Sequence, residues 1–577
     1  MSHLFFRLNA VRTRSRAGLL VALFATQAAF AALPVFNVAD FGAVPNDGKC
    51  DVEAIARAIA AAKRAQGGEI RFAAGTYNLR QPTSREYYLG LVESEHVALV
   101  GAVDAAGRPA TRLERNFKLT NDTSLPPQLM VLRSQDITVK NLILANDPPL
   151  GSTGRVIAVD PAKDVVTVEV LPGLPSYDGM RAASAHAWNL ETGKLKRFGR
   201  TPNEATLTIG TNVNKYWQAV PDSAARQLVM RQAGFAAKLA VGDGVSWHHT
   251  AQGSRNQTGV MYSRDVVFEN VVMPNVSNMG MLAGFNHNLT FRRLRFEPEH
   301  GNLAIGGRDG LHLSMNSGGL LVEDCTFQGL RMDPLVIRRS FGIVKEVRPD
   351  GSLLISPGYE VPAGDKLRFW VDGGPHDRVV KAARRQKGGY VYTFAEAAPA
   401  HTVVGTAVSF LTYSLERGTI RGCHFLNNFG SAIVDFEENL TIEDCVFDHN
   451  SYQIKFGPNQ SSGGFVRHTV VRNNRFLNTS WIDIANRGAP ANIVIHSLSK
   501  FFPRSTVRFN GDILIEKNSF ANPDGQTDAV AIDVRNAENV RIVDNHYEGF
   551  AHPVKFDPAT TSRMALPLVI LPKESGS

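Results

Sequence analysis

Two short stretches carry the residue types that could do chemistry. Asp309-Gly310-Leu311-His312 and Arg331-Met332-Asp333-Pro334 place one aspartate at 309 and another 24 residues later at 333. A pair of carboxyl groups around a glycosidic bond is what acid–base hydrolysis needs: one protonates the leaving oxygen, the other activates water or attacks. His312 could hold a sugar hydroxyl or shuttle a proton. Arg308, Arg331, Arg338 and Arg339 would suit a sugar bearing a carboxylate or sulfate, and Lys455 could add a further positive charge. Each residue also has a plain structural use, since Asp-Gly closes turns, Asp333 precedes a proline and an arginine run can line a solvated edge. The catalytic candidates are Asp309 and Asp333; the substrate-binding candidates are His312, Arg308, Arg331, Arg338 and Lys455. His248-His249 is a poor metal pair, because neighbours on a strand point to opposite faces. No metal set and no cofactor is implied.

For the two aspartates to meet, the chain between them must make one turn of about that length. A recurring phrase supplies it: an apolar residue, two residues, Asn or Cys, one residue, then an apolar or aromatic residue. It occurs around Asn270, Cys325, Cys423, Cys445, Asn474, Asn518 and Asn545, with a degenerate copy around Leu294. The slots 270, 294 and 325, then 423, 445 and 474, then 518 and 545 lie 22 to 31 residues apart within each run, a period that signifies a solenoid. Each repeat holds two or three β-rich runs broken by Gly, Asn and Asp, with almost no helical periodicity. The sequence predicts an all-β fold, a right-handed parallel β-helix whose Asn and Cys slots form an inward ladder. A leucine-rich repeat is disfavoured because its Leu-x-x-Leu-x-Leu consensus is missing. Strands one turn apart lie about 4.7–4.9 Å from each other, so two carboxylates one turn apart could face a common sugar.

A solenoid needs a cap, and residues 51–65 predict a helix with Asp51 capping its start, Glu53 in its first turn and Gly67-Gly68 ending it. Two stretches break the period and echo each other. Residues 154–170 match 342–355, and 241–247 match 363–370, predicting two small antiparallel β-barrels inserted into the solenoid. The expected organisation is therefore a leader over 1–31, a cap and first turns over 32–150, and a barrel over 151–262. Then come turns with the candidate site over 263–339, a second barrel over 340–412, further turns over 413–560 and a tail over 561–577.

Residues 1–31 read as a secretory signal: four arginines, an apolar run from 17 to 30, and Ala29-Phe30-Ala31 as a cleavage pattern. The run is too short for a membrane span, and no later segment is apolar enough, so the mature chain is expected without one, in the periplasm or outside the cell. Net charge is +8; removing those four arginines leaves a mild +4, which argues against a nucleic-acid partner. The expected partner is an oligo- or polysaccharide. Of the four cysteines, Cys325, Cys423 and Cys445 share the repeat slot, which favours free buried thiols over bridges despite export.

The segment from Val38-Ala39-Asp40-Phe41-Gly42-Ala43 to Ile70-Arg71-Phe72-Ala73-Ala74-Gly75-Thr76-Tyr77 resembles the N-terminal motif of the pectate-lyase and polygalacturonase-like β-helix superfamily. The order of cap, turns, insert, Asp-Gly-x-His turn, Glu323-Asp324-Cys325-x-Phe327 turn, aspartate and second insert resembles family 110 of the glycoside hydrolases, the exo-α-1,3-galactosidases. That resemblance spans nearly the whole mature chain. It implies that Asp309 and the second member of an Asp-Asp pair, here Asp333, are catalytic. The first member of that pair falls on Met332, which cannot transfer a proton. Asp435, Glu437 or Glu438 could supply the missing acid, or their run could be a solvated turn. The stretch 455–460 also departs from the acidic and aromatic sugar contacts of that family, which leaves the sugar open. Three functions follow: a glycoside hydrolase first, a lyase or epimerase acting on uronates second, and a non-catalytic glycan-binding solenoid third.

Overall fold

The computed structural model describes residues 33–199, 207, 215–221, 226–249, 255–371, 374–457, 464–478, 480–482, 490–496, 507–523, 528–558 and 561–562. Residues 1–31, expected as a leader, most of 561–577 and residues 458–460 lie outside them. Among the described residues, no helix is long and apolar enough to cross a membrane.

The chain winds as a parallel β-helix. Among the described residues one sheet has 22 strands in two ladders, His287–Arg292, Ser317–Glu323 and Leu415–Arg421 in one and Arg295–Phe296, Thr326–Gln328 and His424–Leu426 in the other; a separate sheet, here the site sheet, has 11. The site sheet runs from Leu89–Val92 and Leu129–Leu132 through Thr258–Met261, Met281–Gly284, Leu311–Ser314 and Leu335–Arg338. It continues with Ser431–Phe436, Tyr452–Phe456, Ala491–Ile495, Val530–Val534 and Val554–Phe556. A single turn has no core of its own, so the inward residues of successive turns merge into one cluster that runs from Val38 to Phe550.

Two ladders hold the register. Phe296, Phe327, Phe425, Phe447, Phe476, Phe520 and Tyr547 stack ring on ring, at centroid spacings of 4.6–5.4 Å. Beside them Asn474 Nδ2 donates to Asn518 Oδ1 at 3.0 Å, and Asn518 Nδ2 to Asn545 Oδ1 at 2.9 Å. Each amide thus bridges two turns and satisfies its buried polar atoms. Cys445 continues this line, its amide donating to Asn474 Oδ1 at 2.9 Å, and Cys423 and Cys325 follow as free buried thiols. The fourth, Cys50, is free and exposed. The slot at the start of the ladder moves by one residue: Val272 pairs with Arg295 and Arg295 with Thr326, which puts Val271, not Asn270, in line with Leu294 and Cys325. Asn270 instead takes the left-handed bend at φ 52° and donates to Asn141 Oδ1.

The helix Val52–Arg64 buries Val52, Ile55, Ala58 and Ile59 against the first turns. Asp51 does not cap it with its side chain; its carboxylate accepts from the amides of Val44 and Asn78 and ties the preceding loop to the sheet. The second insert closes into a six-stranded antiparallel barrel between Phe341–Val347 and Ala407–Phe410. The first forms, among the described residues, an eight-stranded antiparallel sheet that runs from Met180–Arg181 at one edge to Lys194–Leu195 at the other and does not pair its edges into a closed barrel; Ala183–Asn189, which follows Met180–Arg181 after Ala182 alone, lies next to the far edge. The echo between the inserts is shifted. Gly244–His248 borders Gly151–Asp160 as Ala407–Phe410 borders Phe341–Val347, so the counterpart of 241–247 is 404–410, not 363–370. Trp188 donating to Ser246 Oγ at 2.7 Å and Trp370 to Ser409 Oγ at 2.9 Å make the same bond in each insert.

Candidate functional site

The two aspartates are placed by strand register. Leu311–Ser314 and Leu335–Arg338 pair in parallel with Leu311 opposite Leu335 and His312 opposite Val336. Two residues before each pair, Asp309 and Asp333 hold the same position in successive turns, and the Gly310 amide donates to the Asp333 carbonyl at 3.1 Å. Leu335 is opposite Ile433 on the next strand, which brings Ser431 to that position in turn. Its amide donates to Asp333 Oδ1 at 2.7 Å, across a second insert that separates the two residues in sequence. Leu311 and Leu313 face the core, so His312 faces outward, in one row with Val336, Val434 and Lys455.

Asp309 is only 1% exposed. Its Oδ2 accepts from His312 Nδ1 at 2.8 Å and lies 3.7 Å from Arg308 Nη2, while Oδ1 has no partner among the described residues. A carboxylate at Nδ1 fixes the histidine tautomer and leaves Nε2 as the outward acceptor. Asp333 is half-buried, and its carboxyl is pushed up to about 7. Burial is the first cause and the charge of Asp309 the second, with the Ser431 amide, Lys455 and Arg308 pulling the other way. Burial pushes Lys455 down to about 8 against the opposing pull of Asp333. Burial also pushes Arg331 down to about 10, with Asp309 opposing. Arg338 is lowered by burial, and Tyr359 and Asp309 resist that shift. All seven residues singled out from sequence therefore converge on one stretch of wall.

Other candidates do not join them. Arg339 is fully buried, 2.9 Å from Glu438 and 3.8 Å from Glu437. Asp435, Glu437 and Glu438 form no solvated turn: all three are buried. Asp435 lies between Ile337 and Phe456 in the inward row, with Oδ2 unpartnered among the described residues, and burial pushes its carboxyl well up. Glu438 bridges Arg339 and Arg368 of the second insert. None of these three carboxyls therefore replaces the one missing at Met332. The Met332 backbone runs against Gly430, where any Cβ would come within 2.2 Å of the Met332 carbonyl carbon.

Two features escaped the sequence reading. The Ser431 amide had no signal, because its place depends on the length of the insert before it. Tyr262, 55% exposed, stacks on Phe285 at 5.1 Å and 8°, and Tyr359 of the second insert and Tyr413 just after it pack round the same ring. The first insert also leaves a small pocket lined by His186, Trp188, Trp247, His248, Arg331 and Phe429.

No protein-family model matches the chain. Curated relatives do. The chain is 21% identical over 573 residues to α-1,3-galactosidase B of Bacteroides thetaiotaomicron, covering 93% of this chain and 86% of the relative. It is also 21% identical over 571 residues to α-1,3-galactosidase A of Shewanella woodyi, covering 89% and 91%. The chain is similar to α-1,3-galactosidases along nearly its whole length. The family-110 resemblance read from cap, turns and inserts is thereby matched. Among solved structures, the A-module of mannuronan C-5 epimerase AlgE4 from Azotobacter vinelandii aligns at a TM-score of 0.43 with 12% identity, over 92% of this chain and 99% of that one.

Proposed function

We propose that this protein is a glycoside hydrolase that cleaves an α-galactoside-like glycan with Asp333 as general acid and Asp309 as its partner carboxylate. The observation that carries the reading is the pair itself: two carboxyls at one position of adjacent turns, in unlike surroundings. Asp333 keeps its proton near neutrality, as an acid that must protonate a leaving oxygen should. Asp309 accepts from His312 and lies beside Arg308, which suits a carboxylate that activates water or attacks the anomeric carbon. His312 then positions Asp309 and presents Nε2 to a sugar hydroxyl. The similarity to α-1,3-galactosidases supports hydrolysis of an O-glycosidic bond. The basic and then apolar pattern of residues 1–31, read as an export signal, is in keeping with an encounter with the glycan outside the cytoplasm.

The test is incubation of the purified protein with α-1,3-linked digalactosides and a glycan panel, products being read by mass. Addition of water across a glycosidic bond, lost in Asp333→Asn with the fold intact, is the expected result. Undiminished turnover in that variant would remove Asp333 from the mechanism. An unsaturated product absorbing in the near ultraviolet would replace hydrolysis by elimination.

A further inference from the structure

Four cationic side chains converge on the two aspartates, and they are poorly paired. Lys455 is 6% exposed and makes no ion pair or hydrogen bond among the described residues; the Phe436 ring is 6.0 Å from its Nζ. Arg331 likewise has no hydrogen bond or ion pair among them, and its buried Nε is unpartnered. Among the described residues Arg338 reaches only Ser314 Oγ, at 3.5 Å. Arg308 approaches Asp309 Oδ2 no closer than 3.7 Å, with its own Nε unpartnered among the described residues. Even with both aspartates ionised, the cations outnumber the carboxylates by two.

The same chain pairs comparable arginines well. Arg112 lies 2.7 Å from both Glu114 and Glu299, and Arg368 is 2.8 Å from both Asp377 and Glu438. Arg467 reaches Asp512 and Glu538, each at 3.0 Å. Fully buried Arg115 bonds Asn146, the Pro126 carbonyl and Gln257. A buried cation without a partner is costly, and its cost falls when an anion arrives. The unmet charges sit where the substrate is expected.

We propose that the sugar bound beside Asp309 and Asp333 carries an anionic oxygen group, a carboxylate or a sulfate ester, held by Arg331 and Lys455. The guanidinium offers the planar fork that a carboxylate or sulfate matches, and the ammonium adds a point charge. The inference rests on the hydrolase reading only for the bond that is cut; the anion site itself stands on the unpaired cations.

Three aryl α-galactosides test it with the full chain: the neutral sugar, the galacturonide and a sulfated galactoside. The expected result is a kcat/KM for one acidic probe about 100-fold above the neutral one, the scale of a charged hydrogen-bonded contact. The two acidic arms tell carboxylate from sulfate. Arg331→Gln and Lys455→Gln should each shrink that ratio about tenfold or more through KM. Arg331→Lys, with a normal melting curve, should recover part of it. Equal or better cleavage of the neutral probe would overturn the anion site and leave the hydrolase reading standing. Should no probe be cut, calorimetric binding of the acidic probes that weakens in Arg331→Gln would uphold the anion site and end the hydrolase reading. Binding no tighter than the neutral probe would overturn the anion site.

Discussion

Lys455 and Asp333 act on each other by charge, with no hydrogen bond between them: the ammonium draws the carboxyl down, and the carboxylate holds the ammonium up. The balance leaves Asp333 at about 7. An acid must be protonated to act, so kcat/KM should fall as pH rises through about 7. Lys455→Met removes an influence that lowers the carboxyl, so this alkaline limb should move to higher pH. A pH–rate profile of both proteins checks it; a limb that stays in place would separate Asp333 from the observed titration.

Asp333→Asn should cost about 10²–10⁴-fold in turnover, the range for loss of a general acid. Its effect on stability has a definite sign. The native carboxyl sits above its ordinary value of 3.8, so the folded chain binds more protons than the unfolded one between about 4 and 7. Stability from this group is therefore fully present below about 4 and declines as pH rises toward 7. In the asparagine variant that decline should disappear, while the amide oxygen still accepts from Ser431. Melting temperatures between pH 4 and 8 provide the measurement.

The residues that resisted the sequence reading share a physical cause. A strand reverses its facing with every residue, so a one-residue error moves a side chain from wall to core. That is why Asn270 passed for a ladder member although Val271 fills the slot, and why Asp435 passed for a surface acid although it faces Phe456. The aspartate pair was legible because a single short turn, without an insert, links 309 to 333. Ser431 joins the same site only after a barrel has been crossed. The repeated bond of Trp188 and Trp370 to a serine was invisible for another reason: antiparallel neighbours in an insert are not set by sequence spacing.

The polar ladder offers a stability test remote from the site. Asn518 donates to Asn545 Oδ1 and to the Val471 carbonyl while accepting from Asn474. Asn518→Ala takes the acceptor from the buried Asn474 backbone amide, while Asn545 Oδ1 keeps the residue 518 backbone amide, and should cost about 1–3 kcal/mol. Phe447→Ala opens a gap between Phe425 and Phe476 and should cost about 3–5 kcal/mol. Denaturant unfolding of each variant gives the comparison, with no change in kcat expected where the fold persists.

Asp435 and Met332 together decide whether the site works with two carboxyls. Asp435 points into the core, where burial penalises its ionised form. Asp435→Asn keeps an oxygen for the Glu437 amide and removes that penalty at pH above the buried carboxyl's own value. It should melt no lower than the parent at alkaline pH and retain turnover within about threefold, whereas a catalytic acid would lose at least about 10². Met332 brings no proton to the reaction, so Met332→Leu, similar in volume, should also retain turnover. Met332→Asp is the informative change, because it sets a carboxyl beside Asp333. A like charge there raises the Asp333 carboxyl further, and the alkaline limb should move up from about 7. Turnover that depends on Asp435, or a limb that Met332→Asp leaves in place, would mean that the protons come from elsewhere than Asp333.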